Sequence, residues 1–173
     1  TNSDGKMTIV DLELGNIVET KVIAKNLISE PFIQDPTFER SVVLMTDHNE
    51  EGSVGFILNQ KSDHLVSQLL SDLPHIDLPV FVGGPVETDS LFYVHTKGDI
   101  IEGSLEIGNG LYWGGDIEII KELLLINKIT PSDIRFSVGY SGWSPDQLQE
   151  ELKRDSWLVS KNLHENILRI NPN

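Results

Sequence analysis

Short apolar runs rich in β-branched residues, each closed by a turn signal, constrain the fold of this chain more than any other feature. Two of these runs, Ser41–Thr46 and Ser53–Leu58, are joined by a polar turn through Glu50, Glu51 and Gly52, which is the pattern of a β-hairpin. A second hairpin is predicted from Leu105–Ile107, the turn Gly108-Asn109-Gly110 and Leu111–Trp113. Because hairpins pair neighbouring strands antiparallel, the sequence favours a largely antiparallel sheet.

Isolated helix signals lie between further strand-like runs. Strands are predicted over Lys25–Ser29, Pro79–Val82, Leu91–His95, Ile134–Tyr140, Trp157–Val159 and Asn166–Ile170. Helical segments are predicted from Asp35-Pro36 to Arg40, over the amphipathic stretch His64–Leu73, from Gly115-Asp116 to about Asn127, and from the capping box Ser144-Pro145-Asp146-Gln147 to about Arg154. Helices and strands do not alternate regularly, so the pattern indicates an α+β fold.

Length and composition indicate a single domain over residues 1–173, with residues 1–6 expected to lie outside its folded body. The 173 residues carry 39% hydrophobic and 23% charged side chains, and neither a repeat nor a linker divides them. The absence of cysteine excludes disulfides, thiolate nucleophiles and cysteine-ligated metals. Since the polar N-terminus has no signal pattern and the longest apolar run, Leu123–Ile126, cannot span a bilayer, we predict a cytoplasmic protein that does not bind membranes.

The charge balance counts against nucleic-acid binding. There are 13 Lys and Arg residues against 27 Asp and Glu residues, a formal net charge of -14, and the basic residues are scattered. Non-specific affinity for DNA comes mainly from phosphate contacts, which need concentrated positive charge. We therefore expect the partner to be a protein or a small molecule whose identity the sequence does not give.

Several motifs resemble the YqgE/AlgH family. They are the run Gln34–Val43 with His48, Gly52, Gly55 and Asn59; Gly83-Gly84-Pro85-Val86; Leu91–His95; and Gly139-Tyr140-Ser141-Gly142-Trp143 with Gln147, Leu148, Glu151 and Trp157. Together these motifs cover most of the chain from about Leu27 to Leu158, in register and at plausible spacing.

This resemblance implies a bifurcated, mainly antiparallel sheet that curls into a barrel-like shape with flanking helices. It also implies a bacterial source and a biochemical role that is not established, although some members carry the label of transcriptional regulator. The chain departs from the family pattern at Asp146, where members often have Gly, and a helix start tolerates an acidic residue there. Family chains commonly continue past the equivalent of Pro172 with a further helix, so the surface near Ile167–Ile170 is expected to be incomplete.

The segment Gly139-Tyr140-Ser141-Gly142-Trp143 lies between a strand and a helix, as the nucleophile elbow of a hydrolase does. However, Gly142 follows the serine directly, and Trp143 stands where the elbow needs its second glycine. The resemblance also implies alanine at the Ser141 position in many members, which a nucleophile could not become. We therefore predict a tight glycine turn that lets Tyr140 and Trp143 pack or line a groove.

The remaining candidates each have a structural interpretation beside a functional one. His48 and His95 end predicted strands and could act as a base or a metal ligand, but their spacing is not that of a metal site. Arg40 could clamp an anion with Asp35, or simply pair with it as a helix cap. Gly83-Gly84-Pro85 is predicted to be a turn, because Pro85 lacks the N–H that a phosphate loop would use and no lysine follows.

A non-enzymatic binding or regulatory module is the first hypothesis, since the motifs cluster at turns and lack a complete catalytic set. We assign no catalytic residue, no metal and no cofactor. The alternatives are a hydrolase that uses His48 or His95 with Ser41 or Ser141, and a transcriptional regulator that acts indirectly or by weak DNA binding. The predicted binding groove is formed by Arg40, His48, Gly83, Gly84, His95, Tyr140 and Trp143.

Overall fold

A computed structural model describes residues 6–11, 16–21, 26–29, 41–73, 76–108, 110–154 and 156–160. Its strands are β1 (Lys6–Asp11), β2 (Asn16–Lys21), β3 (Asn26–Ser29), β4 (Val42–Asn49), β5 (Gly52–Ile57), β6 (Lys61–Leu65), β7 (Pro79–Val82), β8 (Val86–His95), β9 (Ser104–Gly108), β10 (Leu111–Gly114), β11 (Ile134–Trp143) and β12 (Trp157–Ser160). The helices are α1 (Val66–Leu69), α2 (Ile117–Leu125) and α3 (Gln147–Lys153).

Ten of these strands form one sheet that divides at β11. The main path runs β12-β3-β4-β5-β11-β8-β10-β9, and β7 joins the same edge of β11 as β5, with β6 beyond it. Among the described strands β7 and β11 pair in parallel and the other pairs are antiparallel. The sheet is nearly closed into a barrel shape, which confirms the predicted α+β class with a bifurcated sheet.

The apolar residues of this sheet pack into separate clusters. Helix α2 buries Ile120 and Leu124 against Ile134 and Phe136 of β11. Helix α3 buries Leu148 in a second cluster on the face that carries Val43, Met45, Ile57, Trp143 and Trp157. A third cluster holds Leu44, Phe56, Leu58, Val94, Ile107 and Leu111. Alternate residues of β4 and β5 thus enter different clusters, as the period of a strand requires.

The two predicted hairpins are confirmed. Strands β4 and β5 pair antiparallel, and Asn49 faces Gly52 across a two-residue turn that is tighter than the sequence indicated. Strands β9 and β10 pair across the second turn. Helix α2 starts as predicted, because the Asp116 carboxylate accepts a hydrogen bond of 2.9 Å from the Glu118 N–H.

The amphipathic helix predicted over His64–Leu73 forms only at Val66–Leu69, so its predicted extent is wrong. The first part of that stretch belongs to β6, which pairs with β7, and α1 is a single turn. Pairing with β7 satisfies the backbone of β6, and tertiary context overrides the helical spacing of the leucines. Leu69 is left 41% exposed instead of continuing a buried stripe.

The predicted strand Ile134–Tyr140 continues to Trp143, and α3 begins later than the capping box indicated. Asp146 is its N-cap residue, with a φ of 67°, and Pro145 lies outside the helix. Half of the box forms, because the Gln147 side-chain oxygen accepts a hydrogen bond of 3.0 Å from the Ser144 N–H.

Some predictions lie outside the described residues, namely the turn from Asp35-Pro36 to Arg40 and the strand Asn166–Ile170. Within the described ranges, none of the helices has the length and apolar character needed to cross a membrane.

Candidate functional site

Two glycine-containing segments pass over each other at β11. Val82, the last residue of β7, pairs with Val138 on one edge of β11, whereas Val86, the first residue of β8, pairs with Tyr140 on the other edge. The three residues between them must carry the chain across β11. We call this place, formed by Gly83-Gly84-Pro85 and Gly139–Ser141, the crossing.

Main chains approach each other at the crossing too closely for side chains. A methyl group on Gly139 would collide with the Gly84 carbonyl oxygen, and one on Gly84 would collide with the Tyr140 carbonyl. Gly139 also has a φ of 71°, which side chains rarely adopt. The Ser141 hydroxyl donates a hydrogen bond of 3.0 Å to the Gly83 carbonyl, so this buried serine ties the two segments together. The crossing is thus a structural joint.

His95 lies at the other end of β11, opposite Ile134, and is fully buried. Its Nδ1 accepts a hydrogen bond of 3.2 Å from the Lys97 N–H, and its Nε2 donates one of 2.9 Å to the Gly114 carbonyl. Ser104 Oγ lies 3.1 Å from the same Nε2, and the ring stacks on Tyr112. Burial lowers the pKa of His95 below its ordinary value, although the bond to Gly114 opposes this. Both ring nitrogens are used, so His95 has a structural role.

A β-bulge places His48 at the hairpin. The register of β4 against β5 shifts between Met45 and Asp47, after which His48 faces Ser53. Residues that face each other across antiparallel strands share one side of the sheet, and Trp143 of β11 faces Ser53 from the opposite edge of β5. The shift therefore brings His48, Ser53 and Trp143 to one face. We call these residues, together with the β4–β5 turn, the hairpin end.

Among the described residues, the imidazole of His48 has one hydrogen-bond partner, whereas that of His95 has three. Its Nδ1 lies 2.5 Å from the Ser53 hydroxyl, a short hydrogen bond. Its Nε2 is buried, and no group in the described part of the chain bonds to it. Burial lowers the pKa of His48, while the neighbouring Asp47 carboxylate works against that shift. His48 is 9% exposed and neutral at pH 7, so one of its two nitrogens has unused bonding capacity.

A carboxylate joins Trp143 to α3. Glu151 Oε2 accepts hydrogen bonds from the indole N–H groups of Trp143, at 2.7 Å, and Trp157, at 2.9 Å. Gln147 donates to the other oxygen at 3.2 Å, and the two indoles meet edge to face with centroids 6.0 Å apart. Trp143 is therefore a buried anchor of α3, and it is 4% exposed.

The residues assigned to one groove do not come together. Ile134 and Trp143 end the ten-residue strand β11, and the usual strand rise separates them by about 30 Å. Arg40 lies outside the described residues. The others occupy three places: Gly83, Gly84 and Tyr140 at the crossing, His48 and Trp143 at the hairpin end, and His95 at the far end of β11.

The two serines named in the hydrolase hypothesis bond to other groups in the described part of the chain. Ser141 bonds to the crossing and Ser41 accepts a hydrogen bond of 3.0 Å from Gln60. The serine beside His48 is Ser53, which was not among the site residues predicted from the sequence. A two-residue turn through Glu50 and Glu51 would have paired residue 48 with residue 53, so the hairpin register was the signal that could have found it.

Comparisons with known proteins agree with this architecture. A family profile described as AlgH-like matches residues 26–173. A UPF0301 protein of Bacteroides thetaiotaomicron is 45% identical over 154 residues, covering 88% of this chain and 77% of the relative. A UPF0301 protein of Chlorobaculum tepidum is 43% identical over 136 residues, covering 79% of this chain and 73% of the relative.

Solved structures show the same fold. The solution structure of the AlgH protein from Pseudomonas aeruginosa is similar with a TM-score of 0.64 and 30% identity, covering 79% of this chain and 75% of that one. A crystal structure of a Corynebacterium diphtheriae protein has a TM-score of 0.70 and 21% identity, covering 86% and 84%. The profile, which spans most of the sequence, and the identity to UPF0301 proteins show that this chain belongs to the AlgH-like family, as its motifs predicted.

Proposed function

We propose that this protein is a non-catalytic binding module of the bacterial cytosol and that the hairpin end is its recognition centre. The observation that supports the proposal is the Nε2 atom of His48, which is buried and has no partner within the described residues. Leaving a buried polar atom without a hydrogen bond costs roughly 1–3 kcal/mol. A ligand that supplies the missing bond would recover that free energy, which makes the atom a natural point of attachment.

The rest of the hairpin end suits recognition better than catalysis. In a serine hydrolase the base is oriented by a third group on its far nitrogen, and the far nitrogen of His48 contacts no such group in the described ranges. The rigid neighbour Trp143, fixed through Glu151, gives the centre a preorganised wall.

A hydrolase remains the second candidate, because the short bond between Ser53 and His48 is the pairing that activates a nucleophile. Direct DNA binding has less support, because residues 41–60 contain no lysine or arginine that could contact phosphate.

The proposal can be tested with His48 as its own reporter. Ring ¹⁵N resonances of the histidines would be followed while a library of small amines, carboxylates, phosphates and short peptides is added. We expect a binding compound to shift the His48 signals and to leave His95 unchanged, since every nitrogen of His95 is already bonded. Ser53→Ala should weaken that binding while the protein stays folded.

The enzyme alternative is tested on the same material with chromogenic esters and phosphoesters. If the protein turns over any of these substrates, we expect the Ser53→Ala and His48→Gln variants to retain that activity. Turnover by the unmodified protein that both variants lose would show that the protein is a hydrolase and not a binding module. A library in which no compound moves the His48 signals would overturn the recognition centre.

A further inference from the structure

The hairpin end carries exposed carboxylates that no described cation neutralises. Asp47, Glu50 and Glu51 lie on or beside the β4–β5 turn, and Asp146 precedes α3. The turn packs close to the end of β11, a few residues before α3 begins, because a methyl group on Gly52 would collide with the Trp143 carbonyl. The ion pairs found in the described ranges involve other carboxylates, on Asp72, Glu118 and Glu150.

Positive charge is missing from both segments that build this surface. Residues 41–60 contain no lysine or arginine, and neither do residues 136–152. We call Glu50, Glu51 and Asp146 the acidic rim, and leave out Asp47, because neighbouring residues of a strand point to opposite sides of the sheet and Asp47 is next to His48. Unpaired acids alone would be an ordinary soluble surface. What sets this rim apart is His48, which sits between Asp47 and the turn, is 9% exposed and has a buried nitrogen without a described partner.

We propose that the hairpin end binds a basic segment of another protein, with a lysine ammonium or arginine guanidinium group bonded to Nε2 of His48 and further basic residues on the acidic rim. This inference rests on the proposed function and names the partner of the same site.

The chemistry of the histidine fits a cationic donor. A neutral imidazole carries one proton, and when Nδ1–H donates to the Ser53 hydroxyl, the lone pair of Nε2 can accept a hydrogen bond. Ammonium and guanidinium groups are donors without acceptors, so they match this lone pair and the carboxylates of the acidic rim. An anionic ligand would match the other tautomer, but the acidic rim would repel it.

The spread of the rim favours a protein over a small cation. The carboxylates stand on two elements, the hairpin turn and the residue before α3, and all are exposed. One compact cation cannot contact all of them, whereas successive residues of an extended segment advance about 3.3 Å each and can. A second copy of this chain is a poor occupant, because each copy carries a net charge of -14.

The test is a titration of the whole chain with a lysine- and arginine-rich peptide, a neutral peptide of equal length, and spermidine. We expect binding of the basic peptide to weaken with salt, to shift the His48 ring signals, and to be tighter than that of spermidine. The double variant Glu50→Gln/Glu51→Gln should reduce the affinity about tenfold. The matched control Glu102→Gln/Glu122→Gln removes the same charge from exposed positions elsewhere and should leave the affinity within about twofold.

Equal losses in both double variants would mean that only total charge attracts the peptide, and would overturn the proposal. Spermidine binding as tightly as the peptide would overturn the protein partner. Binding that leaves the His48 signals unmoved would remove the imidazole from the site. If neutral or anionic compounds move those signals and basic ones do not, the binding module stands and the basic partner is wrong.

Discussion

The crossing and the hairpin end both use β11, within a few residues of each other, but side chains contribute much more to the hairpin end than to the crossing. At the crossing, backbone meets backbone, and glycine is needed because nothing larger fits between Gly84 and Gly139. At the hairpin end Gly52 makes one such approach, to the Trp143 carbonyl. The polar contacts there are made by side chains, through His48, Ser53 and Trp143. The motif Gly139-Tyr140-Ser141-Gly142-Trp143 is continuous in the sequence, but its first three residues belong to the crossing and Trp143 belongs to the hairpin end.

This difference predicts which substitutions should affect stability and which should affect ligand binding. Backbone contacts at the crossing have no freedom to adjust, so a single methyl group there forces two strands apart. Contacts at the hairpin end depend on particular polar groups, and losing one leaves its partner unbonded but the strands in place. Stability should therefore be most sensitive at the crossing, whereas ligand recognition should be most sensitive at the hairpin end.

The largest effect is expected for Gly139→Ala. The new methyl group would meet the Gly84 and Val86 carbonyl oxygens, at a φ of 71° that alanine disfavours. We expect a loss of about 3–5 kcal/mol in the free energy of unfolding. Urea denaturation followed by circular dichroism would measure it. Gly110→Ala is the control, because its φ of 76° is similar and nothing lies within 4 Å of the new methyl group. It should lose only about 1–2 kcal/mol, and equal losses in both variants would show that backbone conformation, not the crossing, sets the cost.

The next largest effect is expected for Glu151→Ala, which tests how the hairpin end is anchored. Removing this carboxylate takes a hydrogen-bond acceptor from two buried indoles, so we expect a loss of about 2–4 kcal/mol. Glu150→Ala is the matched control, since its exposed pair with Lys153 should contribute less than about 1 kcal/mol. Thermal unfolding with tryptophan fluorescence would separate the two. A Glu151 variant as stable as the Glu150 variant would show that α3 is held by apolar packing alone.

The local patterns of the sequence predicted much of this fold. Hairpins, turns and the start of α2 depend on neighbouring residues, and the structure confirms them. The helix predicted over His64–Leu73 shrinks to one turn, because pairing with β7, a contact the sequence does not display, makes its first two residues part of a strand. Long-range pairing also decides that β7 and β8 lie on opposite edges of β11, which is why Gly83-Gly84-Pro85 is more than a turn.

The candidate site was predicted less well, for a related reason. His48 was singled out because it stands near a turn, but its partner Ser53 depends on the hairpin register and on the bulge after Met45. His95 has the same position at the end of a strand, and only its surroundings show that its nitrogens are occupied. Sequence position identifies histidines that could act, whereas hydrogen bonding decides which has capacity left.

The smallest effect concerns pH and compares the two histidines directly. Burial lowers the pKa of both in the folded state, so each contributes stability that is complete above the unfolded value of 6.5 and is lost as the pH falls through the folded value. Protonating His95 would place a second N–H against the Lys97 N–H and break that bond, whereas protonating His48 breaks none. We therefore expect His48 to take up its proton at higher pH than His95 in an NMR titration of the ring signals. His48→Gln and His95→Gln should each reduce the loss of unfolding free energy between pH 7.5 and pH 5.5, with the carboxylates common to all three proteins cancelling in the comparison. If His95 takes up its proton at higher pH than His48, the hydrogen bonds of His95 are weaker than the geometry indicates. The contrast between a fully bonded and a partly bonded histidine would then fail.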